Sequence, residues 1–406
     1  MNSQFSPFLR QLLPILLLSQ LLYGCGLFDD PTTTTSVSCS PNCSVPTTAV
    51  GGKLAQSYVR RAQVWADRLV GGVGDLKWQN DEPLAVSGNA GDYQLSGISG
   101  DFLLITYGGK KQDSSGNWID AIPMVAPAPV PGQATTNVTP LTTLVAFEPA
   151  LKNKLAAYGD WNADIASPSG INGNLLRIAK TVETLSSVVS GGNAPLISDF
   201  NANLKSLGVL ATQLKTASGD LASEAVLQAS AANALTTIVS DSTLVPNPLT
   251  SSQRSTLVGS LEQAVQGITA AIPANGVVVE DSTLLAQIET VLQAANISDS
   301  VAVTLSMGGG NLNFGAVITQ IKMELSESTL VLTADVPDDD PDSLDYNWST
   351  TSPSFGITDA SQPTAQVMNF DGTNLQVRLT VIDNAAGNFT DNVSCAWKGN
   401  PTTCEF

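Results

Sequence analysis

The hydrophobic pattern changes period twice along this 406-residue chain, and that limits the folds open to it. Over residues 53–135 the apolar runs are short, β-prone and divided by turn residues. Ala55 to Ala66 and Phe102 to Tyr107 are two such runs, and Val86 to Leu95 reads as strand, turn, strand, with Asn89 and Gly91 at the turn. Over about 140–295 the apolar residues recur at three and four. Over 313–406 they return to strand-like runs: Leu330 to Asp335, Tyr346 to Trp348, Ala365 to Met368 and Leu375 to Ile382. A helical period does not settle as a strand, nor the reverse. The expected fold class is therefore multidomain α+β: a β-sandwich (53–135), an α-helical bundle (136–300), then a second β-sandwich (313–406).

The helical part is legible in detail. Ile197, Phe200, Leu204, Leu207, Ala211 and Leu214 form one stripe, and Leu221, Glu224, Leu227, Ala231, Leu235 and Ile238 continue the same rhythm. Thr250 and Gln253 form a capping box ahead of Leu257, Leu261, Val265, Ile268 and Ile272. Asp281 caps a further helix through Leu284, Ile288 and Val291. Each stripe covers one side only, so the helices must pack together. Their other faces carry Ser, Thr, Asn and Ala instead of paired charges, which argues against a specified coiled coil.

The first 52 residues have no core pattern. Arg10 precedes an apolar run from Gln11 to Leu22, which is too short and too interrupted by Pro14, Ser19 and Gln20 to span a bilayer comfortably. It ends in Leu22-Tyr23-Gly24-Cys25, which resembles the lipobox of a bacterial lipoprotein signal peptide. The resemblance implies cleavage of residues 1–24 and lipidation (palmitate among the acyl groups) at Cys25. It further implies export and attachment to a lipid bilayer at the outer membrane or cell surface. Residues 25–52 are rich in Thr, Ser and Pro and read as a disordered tether reaching about 30 Å.

Composition excludes several chemistries. There is no histidine, so Ser-His-Asp and Cys-His nucleophiles and the ordinary His-based zinc and haem sites are out. The formal charge is −18, with only 18 Lys and Arg spread thinly, which disfavours nucleic acid as a partner and favours cations. Gly108-Gly-Lys-Lys111 lacks phosphate-loop spacing, and no serine has lysine three residues on. No enzymatic activity is expected. With Cys25 set aside, Cys39, Cys43, Cys395 and Cys404 form an even set in an exported chain and imply two disulfides. The local pairings Cys39–Cys43 and Cys395–Cys404 are simplest by sequence, and two other connectivities stay open.

Two stretches resemble modules of bacterial surface proteins. Ala62-Gln-Val-Trp-Ala-Asp67, Asp81-Glu82-Pro83 and Asn89-Ala-Gly-Asp-Tyr93-Gln-Leu95, followed by Val138 to Ala146, resemble the transthyretin-like or carboxypeptidase-regulatory-like module. The family loop often carries Asp at calcium-ligand spacing. Here Asp67, Asp75, Asp81 and Glu82 remain in a rewritten loop, and a solvated loop is the plainer reading. Asp338-Asp-Asp-Pro-Asp342-Ser-Leu344-Asp-Tyr346-Asn-Trp348 and Leu379-Thr-Val-Ile-Asp383-Asn-Ala-Ala-Gly387-Asn388 resemble the PKD-type or cadherin-like immunoglobulin module. That resemblance implies an immunoglobulin-like sandwich with Trp348 in its core.

Asp335, Asp338, Asp340, Asp342 and Asp345, with Asp383 on a later loop, are the candidate ligands of a calcium ion, because hard cations take six to eight oxygens. A solvated acidic loop between strands is the alternative. Aromatics are 6% of the chain, with Trp78 and Trp118 the candidate exposed platforms for a polysaccharide. The expected function is that of a non-catalytic, membrane-anchored surface lipoprotein binding an extracellular polymer or protein. A structural or assembly accessory of an envelope machine, docking through the helical bundle, is the other reading.

Overall fold

The computed structural model describes residues 48–405, apart from 80, 130–132, 191–195, 198–199, 246–248, 296–315, 337–342, 352–353 and 385–388. The described residues form seven α-helices and several antiparallel sheets. Cys25, Cys39 and Cys43 lie outside them.

The N-terminal strands are β1 (Thr48–Lys53), β2 (Gln63–Arg68), β3 (Leu84–Val86), β4 (Asp92–Ile98), β5 (Phe102–Tyr107), β6 (Lys110–Gln112), β7 (Trp118–Asp120) and β8 (Met124–Pro127). A four-stranded sheet runs β3-β2-β5-β8, while β1 pairs with β4 and β6 with β7. β4 alternates, with Tyr93 and Leu95 buried and Asp92, Gln94 and Ser96 exposed. β2 does not alternate, because both faces of its sheet are covered. Val64 and Ala66 join a core with Tyr93, Leu95 and Leu104, while Trp65 joins Ile105, Val125 and Leu204. Double coverage turns an alternating strand into a continuous apolar run.

Three expectations need correction here. Thr48–Lys53 is strand, not tether: β1 is held at β4, and a Cβ on Gly52 would come 2.0 Å from the Thr136 carbonyl oxygen. Residues 55–61 are not strand; β2 begins at Gln63. The Val86–Leu95 hairpin is not a ladder, because β3 pairs with β2 and β4 with β1. The turn residues carry the chain from one sheet to the other.

The helices are α1 (Pro140–Phe147), α2 (Leu151–Ala156), α3 (Gly173–Ser190), α4 (Phe200–Thr216), α5 (Glu224–Ile238), α6 (Ser251–Ala271) and α7 (Ser282–Ala294). Short strands β9 (Ile171–Asn172) and β10 (Val277–Val278) pair beside them. The Thr250–Gln253 capping box and the Asp281 cap are both made. The stripes of α4, α5 and α6 meet in one core with α3. α3 is buried on nearly every side: Leu175, Ile178, Val182, Leu185 and Val189 form one stripe, and Leu176, Ala179, Thr181 and Thr184 are buried beside it. Its buried hydroxyls bond within the helix, Thr181 to the Arg177 carbonyl and Thr184 to that of Lys180.

The C-terminal strands are β11 (Gln320–Ser326), β12 (Thr329–Asp335), β13 (Leu344–Thr350), β14 (Ile357–Thr358), β15 (Thr364–Met368), β16 (Gln376–Asp383), β17 (Phe389–Ala396) and β18 (Thr402–Glu405). They form two sheets, β14-β15-β12-β11-β18 and β13-β16-β17. Alternate residues from both sheets (Ile321 and Met323, Leu330 and Leu332, Val377, Leu379 and Val381) share one core. Trp348 is buried in it, and its Nε1 donates to the Gln362 carbonyl at 2.9 Å. A disulfide joins Cys395 on β17 to Cys404 on β18, with Cα atoms 5.7 Å apart, and so links the two sheets. Non-reducing peptide mapping should recover this pair as one linked peptide; alkylation of both thiols without reductant would contradict it. The Arg61 guanidinium pairs with Asp391 on β17, which also accepts from the Ile318 amide at 2.9 Å, so β17 is tied to the loop before β2.

Candidate binding cleft

The acidic residues singled out in the sequence divide into two groups. Asp338, Asp340 and Asp342 lie outside the described residues. The other three are engaged by protein donors. Asp383 is fully buried and accepts from the Ala316 amide at 3.2 Å and Ser343 Oγ at 3.1 Å. Asp335 accepts from Thr319 Oγ1 at 2.8 Å, and Asp345 from Asn384 Nδ2 at 2.9 Å. Among the described residues, no three Cys, Asp or Glu side chains converge as a cation would need. These three carboxylates do not fit a calcium site on their own, and the calcium expectation rests on Asp338, Asp340 and Asp342.

The loop from Asp67 to Glu82 is not a plain solvated loop. Asp67 and Glu82 are buried. Asp67 Oδ2 accepts from the Leu76 amide at 3.1 Å, and Glu82 accepts from the amides of Arg68 at 2.7 Å and Gln79 at 3.1 Å. Asp67 Oδ1 is buried with no hydrogen-bond partner. Gly74 lets the chain pass this carboxylate, since a Cβ there would meet Oδ2 at 2.1 Å. Burial first, then the neighbouring Glu82 and Asp75 charges, push the Asp67 carboxyl up to about 7, against the opposing pull of the Leu76 amide.

Both expected aromatic platforms are only partly exposed and are engaged by neighbours. Trp78 is half-buried against Leu76 and Leu84, and its Nε1 donates to the Glu82 carbonyl at 3.1 Å. The Arg60 guanidinium lies 3.3 Å from the centroid of the Trp118 ring and covers it.

The aromatic that does line a cleft is Trp161. The loop Gly159-Asp-Trp161-Asn-Ala-Asp164 follows α2 and faces the segment 133–137 that leads into α1. Between them is a cleft of about 710 Å³, lined also by Lys152 of α2. Its walls are fixed by short-range chemistry. Asn137 donates through its amide N to Asn162 Oδ1 at 2.9 Å and through Nδ2 to the Asn162 carbonyl at 2.7 Å. The Tyr58 hydroxyl donates to Asp164 Oδ2 at 2.7 Å; burial and then this carboxylate push that phenol up to about 12. The Asn162 amide donates to Asp160 Oδ1 at 2.9 Å. Lys152 Nζ sits 5.4 Å from the Trp161 ring centroid. No motif marks Trp161 in the sequence; the only signal was an aromatic flanked by Asp and Asn in a Gly-started loop.

A second polar constellation is internal. Lys111 on β6 pairs with Glu183 at 2.9 Å, Glu183 with Lys180 at 2.9 Å, and Lys180 with Glu280 at 3.0 Å. Ser57 Oγ donates to Glu280. The chain of charges borders a small cavity of about 150 Å³ between the β6–β7 hairpin, α3 and α7. Burial alone would push the Lys180 ammonium down, but Glu183 and Glu280 outweigh it and hold it above the usual lysine range.

No protein-family model, no curated protein and no solved structure matches this chain. No helix among the described residues is long and apolar enough to cross a membrane.

Proposed function

We propose that this chain is a non-catalytic lipoprotein of the bacterial envelope, held at the outer membrane or cell surface through Cys25, that binds an extracellular polymer or protein. The observation that carries the binding reading is the Trp161 cleft. Its volume is that of a ligand site, and it combines an aromatic with a few fixed polar groups. The apolar stripes of α4, α5 and α6 are turned into a common core, and among the described residues the exposed large apolar ones lie outside the helices. That disfavours docking through the bundle as the main activity. The order β14-β15-β12-β11 against β13-β16-β17 supports an immunoglobulin-like sandwich at the C-terminus, and the β1–β4 pair against β3-β2-β5-β8 supports a small sandwich before the helices. Both are common display scaffolds of surface proteins.

The anchor is tested on cells. Mass spectrometry should find a mature N-terminus at an acylated Cys25, and Cys25→Ser should leave an uncut precursor. Added protease should reach the mature protein on cells whose envelope is intact or only outer-membrane-permeabilised. Recovery of a mature chain beginning elsewhere would overturn the anchor. Quantitative incorporation into one stoichiometric envelope complex, with no exchange onto extracellular material, would overturn the binding reading.

A further inference from the structure

We infer that the Trp161 cleft takes an uncharged, hydroxyl-rich sugar unit of a polymer chain, an assignment that rests on the binding reading above. The first ground is charge. The cleft holds one cation, Lys152, against two carboxylates, Asp160 and Asp164, on a chain of net charge −18. An anionic polymer meets a repulsive field there. Asp164 is held in the wall by Tyr58 and by the Ala166 amide at 3.1 Å, and Asp160 Oδ1 by the Asn162 amide at 2.9 Å, so both carboxylates are fixed among the lining residues.

The second ground is the kind of hydrogen-bonding capacity that the walls leave over. Among the described residues, Lys152 Nζ, Trp161 Nε1, Asn162 Nδ2 and the Gln133 amide donate to no protein acceptor, and Asp160 Oδ2 accepts from no protein donor. Donors and an acceptor therefore belong to residues that line the same space. A sugar hydroxyl both donates and accepts, so neighbouring hydroxyls satisfy such a mixed set. Leaving these groups desolvated and unpaired against an apolar ligand would be unfavourable.

The third ground is the apolar lining. It consists of Ala128, Pro129, Ala134 and Ala163 beside the indole of Trp161. These are small side chains, and no Leu, Ile, Met or Phe stands among the described lining residues to receive a peptide's Leu or Phe anchor. A flat, partly exposed indole suits the C–H face of a pyranose ring. The Lys152 side chain near that ring is long and can move aside.

The test is calorimetric titration of the full chain with three probes. One is a set of neutral oligosaccharides (cello-, malto- and N-acetylated chito-oligosaccharides), the second an oligogalacturonate, the third an unstructured peptide of similar length. At least one neutral oligosaccharide should bind in the micromolar to millimolar range. Trp161→Ala should weaken it roughly tenfold or more. Since Trp161 also packs on the helical core, Asp160→Ala at an exposed position is the second variant, and it should weaken binding with an unchanged circular dichroism melt. Binding of only the oligogalacturonate or the peptide, sensitive to Asp160→Ala, would overturn the ligand class and keep the binding reading. Neutral-sugar binding untouched by both variants would overturn the cleft as its site. Binding of none of the three would overturn the class and remove the support this cleft gives to the binding reading.

Discussion

Lys180→Met is expected to destabilise the folded chain by about 3–5 kcal/mol, a large part of the total stability of an ordinary domain. Lys180 is the central member of an alternating row: Lys111, Glu183, Lys180, Glu280. The Lys180 and Glu183 side chains are 4% and 9% exposed, and that of Glu280 is 1% exposed, so bulk water hardly reaches the place of a missing partner. Removing the ammonium leaves Glu280 with only the Ser57 hydroxyl and Glu183 with only Lys111. An uncompensated buried carboxylate is the expensive product, and methionine keeps the volume so that the loss is electrostatic. With Ser57, the row joins four places in the chain: the loop before β2, the β6–β7 hairpin, α3 and the segment before α7. Ser114 reinforces the same junction, its amide donating to Glu289 of α7 at 2.8 Å. Urea unfolding of wild type and variant measures the effect as a lower midpoint. A second variant, Lys180→Met with Glu280→Gln, should recover part of the loss because it removes the stranded charge. Equal midpoints for wild type and Lys180→Met would defeat the argument. The dependence on acid has a defined sign too. Burial alone would raise the Glu183 carboxyl, but Lys111 and Lys180 hold it below the usual range. Its contribution is therefore present above the ordinary glutamate pKa and is lost as pH falls through the depressed folded value.

That row shows what a linear reading misses. Lys111, Lys180 and Glu280 are far apart in the chain, and each looks like a surface charge until the fold brings them together. α3 was hidden for a related reason. It does carry a stripe at three and four, Leu175, Ile178, Val182, Leu185 and Val189, but buried Thr181, Thr184 and Ser186 lie on its other sides, and their polarity conceals that nearly the whole helix is covered. β1 was hidden because Thr-Ala-Val-Gly-Gly-Lys lacks alternation; its place depends on close approach at Gly52. Trp161 sits in a loop, where no periodicity applies. By contrast, the helix starts at Thr250 and Asp281 were legible because a cap is local: Thr250 and Gln253 satisfy each other's amides within one turn. The C-terminal strands β12 and β16 were legible because their sheets each cover one face, which preserves period two in Leu330 and Leu332 or Val377, Leu379 and Val381.

The second large effect concerns Asp67. The wild-type chain should lose stability as pH rises from about 4 to about 7, and Asp67→Asn should remove much of that slope. In the folded chain the Asp67 carboxyl is pushed up to about 7, first by burial and then by the Glu82 and Asp75 charges. In the unfolded chain it ionises near the ordinary aspartate value of about 3.9. Between those two values the folded state binds the extra proton, so its advantage is complete below the lower value and gone above the higher one. The geometry gives the reason. Asp67 Oδ2 has the Leu76 amide at 3.1 Å, but Oδ1 is buried without a partner, so the ionised form has one unsolvated oxygen. Glu82 stands against it with its own carboxyl raised, first by burial and also by Asp75 and Asp81, though the Arg68 and Gln79 amides pull it back. Asparagine keeps an oxygen for the Leu76 amide and carries no proton to lose. The distance between the folded and unfolded ionisation points bounds the effect at about 4 kcal/mol. Solvent screening at the edge of the loop lowers it, so about 2–4 kcal/mol is the expected size of the pH-dependent part. Urea midpoints at pH 5 and pH 8 for both proteins measure it. The wild-type midpoint should fall more between the two than that of Asp67→Asn, and Asp75→Asn, at an exposed position, should leave most of the wild-type slope in place. Parallel pH profiles for wild type and Asp67→Asn would mean that Asp67 is ionised and solvated in the folded chain, and the loop would return to a plain surface connection.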